Sequence, residues 1–250
     1  MKLKIISAVF LFYIISLLMT IPAAMVTGFI PAQADLKVTD VTGSLWNGKA
    51  SQLSYKNRYH LKKFSWKVDW SALFTLKLKL DIKFNNGNKA MSGKGSVLAG
   101  LSGISVENLL IDSSASEFLS YIKLPVPIKA AGDLSLVVKQ GSQGAPYCQE
   151  LDGHISWQDA EINSDMGKID LASVGIDLSC DKGQVSADLK QQSEQLQTTA
   201  NALLKEHQAY QLTGLIKATD KLNPTFRQGL SWVGGKDASG ATILKFNGKL

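Results

Sequence analysis

The sequence predicts a mainly β protein: an N-terminal single transmembrane helix followed by an exported antiparallel, curved β-sheet domain with a few short helices. Three observations carry this. The run from Ile5 to Val26 is apolar and contains no charged residue, and as a helix it would reach about 30 Å, the hydrocarbon thickness of a bilayer. Beyond it, segments alternating apolar and polar residues succeed one another between glycines, the period of strands buried on one face. Long helical patterns of the kind that parallel crossovers need do not separate them, so neighbouring strands are expected to pair as a meander.

Taken in order, residues 1–4 carry Lys2 and Lys4, which the positive-inside rule places in the cytoplasm with the rest of the chain outside. Residues 5–26 form the anchor, 27–37 a linker and 38–250 the β-rich domain. A cleaved secretory signal competes with the anchor, since Ala32-Gln33-Ala34 before Asp35 has the small-x-small pattern of a cut site. A signal's apolar core is about 7–15 residues with the cut close behind it, and here the core is longer and the Ala pair lies well beyond, so the anchor is preferred. Both readings export the domain. Pro31 to Thr39 reads as a short connector.

Trp70 to Phe84 is read as one long strand, with Leu76, Leu78, Leu80, Ile82 and Phe84 on one face and Lys77, Lys79, Asp81 and Lys83 on the other. Asn85-Asn86-Gly87-Asn88 then turns the chain as a hairpin would. Gly132 with Leu134, Leu136 and Val138 repeats the alternation, as do Gly153 with Ile155 and Trp157, and Gly183 with Val185, Ala187 and Leu189. Ser114 to Glu117 has the spacing of a capping box opening a helix from Phe118 to Ile122, which Pro125 and Pro127 end. Asn223-Pro224 starts a second, Thr225 to Val233, with Phe226, Leu230 and Val233 on one face and Gly234-Gly235 beyond it. From Glu194 to His207 a helical stripe of Leu196, Ala200, Leu203 and Leu204 competes with the extended preference of Thr198-Thr199, and the strand reading leads.

Charged residues make up 19% of the chain and there are 21 glycines, a balance suited to strands and turns. Setting Lys2 and Lys4 apart reduces the formal charge of +6 to +4, too mild over this surface to imply nucleic acid. Cys148 and Cys180 both lie in the exported part, where an even pair is most simply a disulfide; two buried free thiols are the alternative, since register decides whether they meet. Their spacing excludes a CxxC redox site, and with His60, His154 and His207 scattered along the chain no metal site is expected.

Catalytic chemistry is not expected either. Gly43-Ser44-Leu45-Trp46-Asn47-Gly48-Lys49 resembles the start of a phosphate-binding loop, but Ala50 stands where a Ser or Thr must hold magnesium and no helix follows. Neither Gly-x-Ser-x-Gly nor a supported Ser-x-x-Lys nucleophile occurs. Pairs such as Asp152 and Asp159, or Asp165 and Asp170, are what a chain with 21 acidic residues supplies by default. The basic and aromatic stretch Tyr55, Lys56, Arg58, Tyr59, Lys62, Lys63, Trp66, Lys67 suggests contacts of Lys56, Arg58, Lys62 and Lys63 with a membrane surface, against the plainer reading of a solvated strand face with Trp66 and Trp70 turned inward. The plainer reading is preferred.

Val41-Thr42-Gly43-Ser44-Leu45-Trp46-Asn47-Gly48-Lys49-Ala50, within Val38 to Ser51, resembles the early signature of the type II secretion system protein N family. Trp66-x-x-x-Trp70, Cys148-Gln149 with Gly153 and Trp157, Leu178-Ser179-Cys180, and Tyr210 to Gly214 leading to Pro224, Leu230 and Gly234 agree with it, so Gly43, Leu45, Trp46, Gly48, Trp66 and Trp70 are its motif residues. The resemblance implies a single-pass inner-membrane protein with a periplasmic β domain, an accessory or assembly component in export of folded proteins. It implies no enzymatic activity and no cofactor, with other secretion proteins and inner-membrane lipids as partners. The competing function is a lipid-binding or lipid-transfer sheet, which an open apolar groove continuous with the anchor would favour and a dry, filled interior would not.

Overall fold

The structure, a computed structural model, describes residues 2–28, 35–56, 58–87, 90–121, 128–165 and 167–249. The Ala32-Gln33-Ala34 cut site, Asn88, Ile122 and the helix-ending Pro125 and Pro127 lie outside them.

The apolar run 5–26 does not form one helix. Helix α1 spans Lys2–Met19 and a short α2 spans Ala23–Thr27. Between them Pro22, which has no N–H to continue a helical ladder, sits in an extended bridge with Ser44. Among the described residues no helix is long and apolar enough to cross a membrane. The chain leaving α1 is pinned at once, because the Leu45 N–H donates to the Ile21 carbonyl at 3.0 Å and Ala23 is 3% exposed.

The expected connector is partly strand. β1 (Leu36–Thr39) already pairs with β3 (Asn47–Tyr55), to which β2 (Thr42–Gly43) also pairs. β4 (Tyr59–Asp69), β5 (Leu78–Asn85), β6 (Ser92–Gly100), β7 (Gly103–Ser114) and β8 (Lys129–Gln143) follow in space as they do in sequence. So do β9 (Cys148–Ser164), β10 (Gly167–Asp181), β11 (Gln184–Gln192), β12 (Leu196–Leu204), β13 (Ala209–Ala218) and β14 (Thr242–Lys249). The described strands make one antiparallel meander, as the alternation predicts, and Leu196–Leu204 is strand.

The stretch Trp70 to Lys77 departs from the expected strand. Trp70–Thr75 is a 3-10 helix, because Asp69 Oδ1 accepts from the Ser71 N–H at 2.9 Å and from Ser71 Oγ at 2.7 Å, offering the backbone a local alternative to a ladder. Leu76, at φ 56, closes it, and β5 begins two residues on.

Helix α3 (Ala115–Ser120) has the Ser114 cap foreseen, its hydroxyl accepting from the Glu117 N–H at 3.3 Å. It starts earlier than expected, and Glu117 Oε1 accepts from the Tyr121 hydroxyl at 2.9 Å. Helix α4 (Pro224–Val233) starts as predicted, capped by Asn223. Arg227 on it donates to the carbonyls of Thr219, Asp220 and Leu222, closing the loop over Leu222, which at 1% exposure is the most deeply buried large side chain described.

Candidate docking surfaces

Directly paired residues of an antiparallel sheet share a face. Such a row runs Ile111, Leu136, Ile155, Ile176, Leu189, Ala200, Gly214, Leu244 from β7 to β14. One position along, on the opposite face, the row reads Leu110, Val137, His154, Asp177, Asp188, Asn201, Thr213, Lys245. One face is therefore apolar and the other mostly polar. On the polar side His154 Nδ1 lies 2.7 Å from Asp177 Oδ1, and Asn201 Nδ2 donates to Asp188 Oδ1 at 2.8 Å.

The apolar face is incompletely covered, since from Ile111 to Gly214 its residues are half-buried and Leu244 alone in the row is buried. A cavity of about 530 Å³ lies against it, lined by Ile111, Leu134, Leu136, Ile155, Trp157 and Ile176 with Phe118 and Leu119 of α3. A second, about 390 Å³, lies between Ala23 of α2 and Leu45, Trp46, Trp66, Leu78 and Leu80. These spaces follow from a single sheet faced by short helices: among the described residues too little second layer exists to fill the apolar side.

The motif residues converge beside that second cavity. Gly48 pairs with Trp66, and a Cβ at 48 would stand 2.3 Å from the indole. Trp66 Nε1 donates to the Leu45 carbonyl at 2.9 Å, while the Leu45 N–H reaches Ile21. Gly43, at φ 89, brings its backbone against Asn47, where a Cβ would be 2.5 Å from the carbonyl oxygen. The Trp46 and Trp70 ring centroids are 4.3 Å apart. This signature is the joint that fastens the N-terminal helices to the sheet. Lys49 lies in β3, paired with Thr42, so the phosphate-loop likeness has no phosphate-loop geometry.

The basic stretch lies elsewhere. Lys56 and Arg58 occupy the β3–β4 hairpin at the far end of β3 from Ser44, about 30 Å away at 3.3 Å per residue. Arg58 Nη2 donates to the Tyr121 carbonyl at 2.7 Å and the guanidinium lies over the Tyr59 ring, while Lys56 lies over Tyr55. Burial and the bond it donates to Glu117 raise the Tyr121 hydroxyl pKa. Lys62 and Lys63 are exposed on β4.

The carboxylates read as solvated pairs, Asp152, Asp159, Asp165 and Asp170, are all exposed. Asp152 meets Lys139 at 3.2 Å, and Asp170 accepts from the Ala172 N–H at 2.8 Å. Lys79 pairs with Glu107 at 3.1 Å, a bond that holds the ammonium pKa above its ordinary value. Among the described residues no cluster of His, Cys, Asp and Glu is placed to hold a metal. Cys148 and Cys180 are joined, with Cα atoms 6.1 Å apart, tying β9 to β10 at the end of the sheet where α1 arrives.

The sheet has two edges. The first, at β1 and β2, has α2 beside β2 and Pro22 bridged to Ser44. The last, β14, has β13 on one side, and on the other Gly235 and Lys236 reach Ile243 and Thr242. From Leu244 to Lys249 no described strand covers its outer side. An uncovered edge is a row of backbone donors and acceptors ready for another strand, and Lys245 and Lys249 are the charges that discourage indiscriminate pairing.

Residues 34–245 match the family described as type II secretion system (T2SS), protein N. The chain is 30% identical over 94% of its length to the type II secretion system protein N of Vibrio cholerae serotype O1, covering 93% of that protein. It is 29% identical to the protein of the same name from Aeromonas hydrophila over all of both chains, and 28% identical to that of Pectobacterium carotovorum over 92% of this chain and 90% of the relative. No solved structure matches.

Proposed function

The chain belongs to the type II secretion system protein N family, and from that premise we propose that it is a non-catalytic assembly component of the secretion machinery, docking other components through the open edge of β14. The uncovered edge from Leu244 to Lys249 carries this reading, because strand addition supplies affinity through backbone hydrogen bonds and needs no pocket. Exposed Ile243 and Phe246 beside it offer side chains for specificity.

The proposal places the chain in the inner membrane by its N-terminus, with the sheet on the periplasmic side. Its support is the uncharged run 5–26 behind Lys2 and Lys4, together with the exposure of Ile5, Ile6, Val9, Phe10 and Phe12 around α1, which no part of the sheet covers. The testing experiment is gentle affinity isolation from detergent-solubilised membranes, with a deletion strain beside it. Co-isolation of secretion components and loss of exoprotein release are expected; a lone chain and undisturbed release would remove the basis of the reading.

The cavities along the apolar face favour a second reading, in which the trough holds acyl chains. The relatives carry secretion names rather than lipid-handling ones, so it stands behind the first. Lipid co-purifying at a fixed ratio with the delipidated and re-exposed protein is the observation it requires.

A further inference from the structure

Among the described residues of the sheet domain, three of the four most exposed large apolar side chains gather at one end. Phe74 is 94% exposed, Leu76 76% and Leu101 96%, with Trp70, Leu73, Leu78 and Ile104 also open to solvent. Phe74 and Leu76 belong to the 3-10 helix and its cap, Leu101 to the turn between β6 and β7, and the pairing of Leu78 with Ala99 brings the two segments side by side. Scattered exposed leucines are ordinary; a cluster of this kind on a single rim marks a contact surface.

This rim is the end of the sheet at which α1 arrives. Ile21 bonds to Leu45, Trp46 next to it lies against Trp70, and Leu78 lines the same cavity as Ala23. We propose that the tip made by Trp70–Thr75, Leu76 and Leu101 inserts shallowly into the membrane surface beside α1, fixing the sheet's tilt. The proposal rests on the reading of α1 as the anchor.

Continuity with that apolar helix is what selects a lipid surface as the occupant. The composition of the rim agrees: from Trp70 to Leu80 and from Ala99 to Ile104 there is no acidic residue, while Lys77 stands exposed between Leu76 and Leu78. Tryptophan, exposed aliphatic side chains and lysine are the residues that favour the interface of an anionic leaflet. Asp69 borders the tip, but its carboxylate is bound to Ser71. Leu76 holds the left-handed conformation that closes the 3-10 helix, its N–H donating to the Leu73 carbonyl at 3.0 Å, and leaves its side chain 76% exposed.

The test uses the full chain reconstituted in phosphatidylcholine–phosphatidylglycerol vesicles whose acyl chains carry bromine near the headgroup. Tryptophan introduced by Phe74→Trp and by Leu101→Trp should each lose at least about half of its added emission to the bromines. Trp232, 83% exposed on α4 at the opposite end, should be unquenched, as replacing it with Phe would reveal. A Phe74→Asp/Leu101→Asp double variant should show weaker quenching of Trp70. Phe10→Trp reports on the anchor itself. Quenching of Phe10→Trp without Phe74→Trp and Leu101→Trp overturns the proposal alone. Absence of quenching at all three overturns the anchor reading as well.

Discussion

Trp66 lies across Gly48: the two are paired in register, and a Cβ at position 48 would stand 2.3 Å from the indole. The glycine lets the ring drop onto the strand, which brings Nε1 within 2.9 Å of the Leu45 carbonyl. Leu45 in turn holds Ile21. A strand-level feature of the sequence thus decides how the N-terminal helices are set on the sheet.

Gly48→Ala should therefore force the indole outward and break its bond to Leu45. Overpacking of this kind costs about 1–3 kcal/mol, and Trp66→Phe, which removes the donor but keeps most of the ring, about 1 kcal/mol. Denaturant midpoints of the full chain in detergent check both, with Gly48→Ala expected to be the more damaging.

Leu222→Ala should lose about 2–5 kcal/mol, the range for emptying a fully buried leucine site. It sits beneath the loop that Arg227 closes, so hydrogen exchange should rise in α4 and around Thr219–Asn223 before it rises in β9 and β10.

Replacing Cys148 and Cys180 by Ser removes a bond between residues 32 apart and should cost about 2–4 kcal/mol, through loss of the restriction on the unfolded chain. Because the bridge ties strands that are already paired, the circular dichroism of the folded state should stay β-rich.

Acid should loosen the tip at Trp70–Thr75. Hydrogen bonds from the Ser71 hydroxyl and then its N–H hold the Asp69 carboxylate pKa below the ordinary value of 3.8. A depressed folded pKa means that its stabilising contribution is present above the unfolded value and is lost as pH falls through the folded one. The Ser71 amide resonance should accordingly titrate with a midpoint below 3.8, and Asp69→Asn should abolish that titration.

Much of this architecture is legible in the residues. Period-two alternation at Leu134-Leu136, Ile155-Trp157 and Val185-Ala187-Leu189 marks one-sided strands, and Asn223-Pro224 marks the start of α4, because those signals are local. Trp70 to Leu76 misleads because its apolar spacing continues the phase of Leu78 to Phe84, while the contact that decides otherwise is a carboxylate two residues from a serine. Phe74 and Leu101 escape sequence reasoning for a different reason: an apolar residue in an alternating chain reads as core, and only the register shows that these two stand beyond the end of it. Register likewise carries Lys56 and Arg58 to the end of β3 farthest from α1, although they are near it in sequence. The open side of β14 has no local signal, since the lack of a neighbouring strand is a property of the whole meander.

Docking through that edge is tested most directly by a photo-crosslinking amino acid at Asn247, exposed midway along the outer part of β14, in the full chain in native membranes. One discrete adduct is expected, its partner another type II secretion component, weaker when the probe is moved to Gln158 in the interior of the sheet. Irradiation that yields no protein adduct at Asn247, in cells that secrete normally, would contradict docking through the β14 edge.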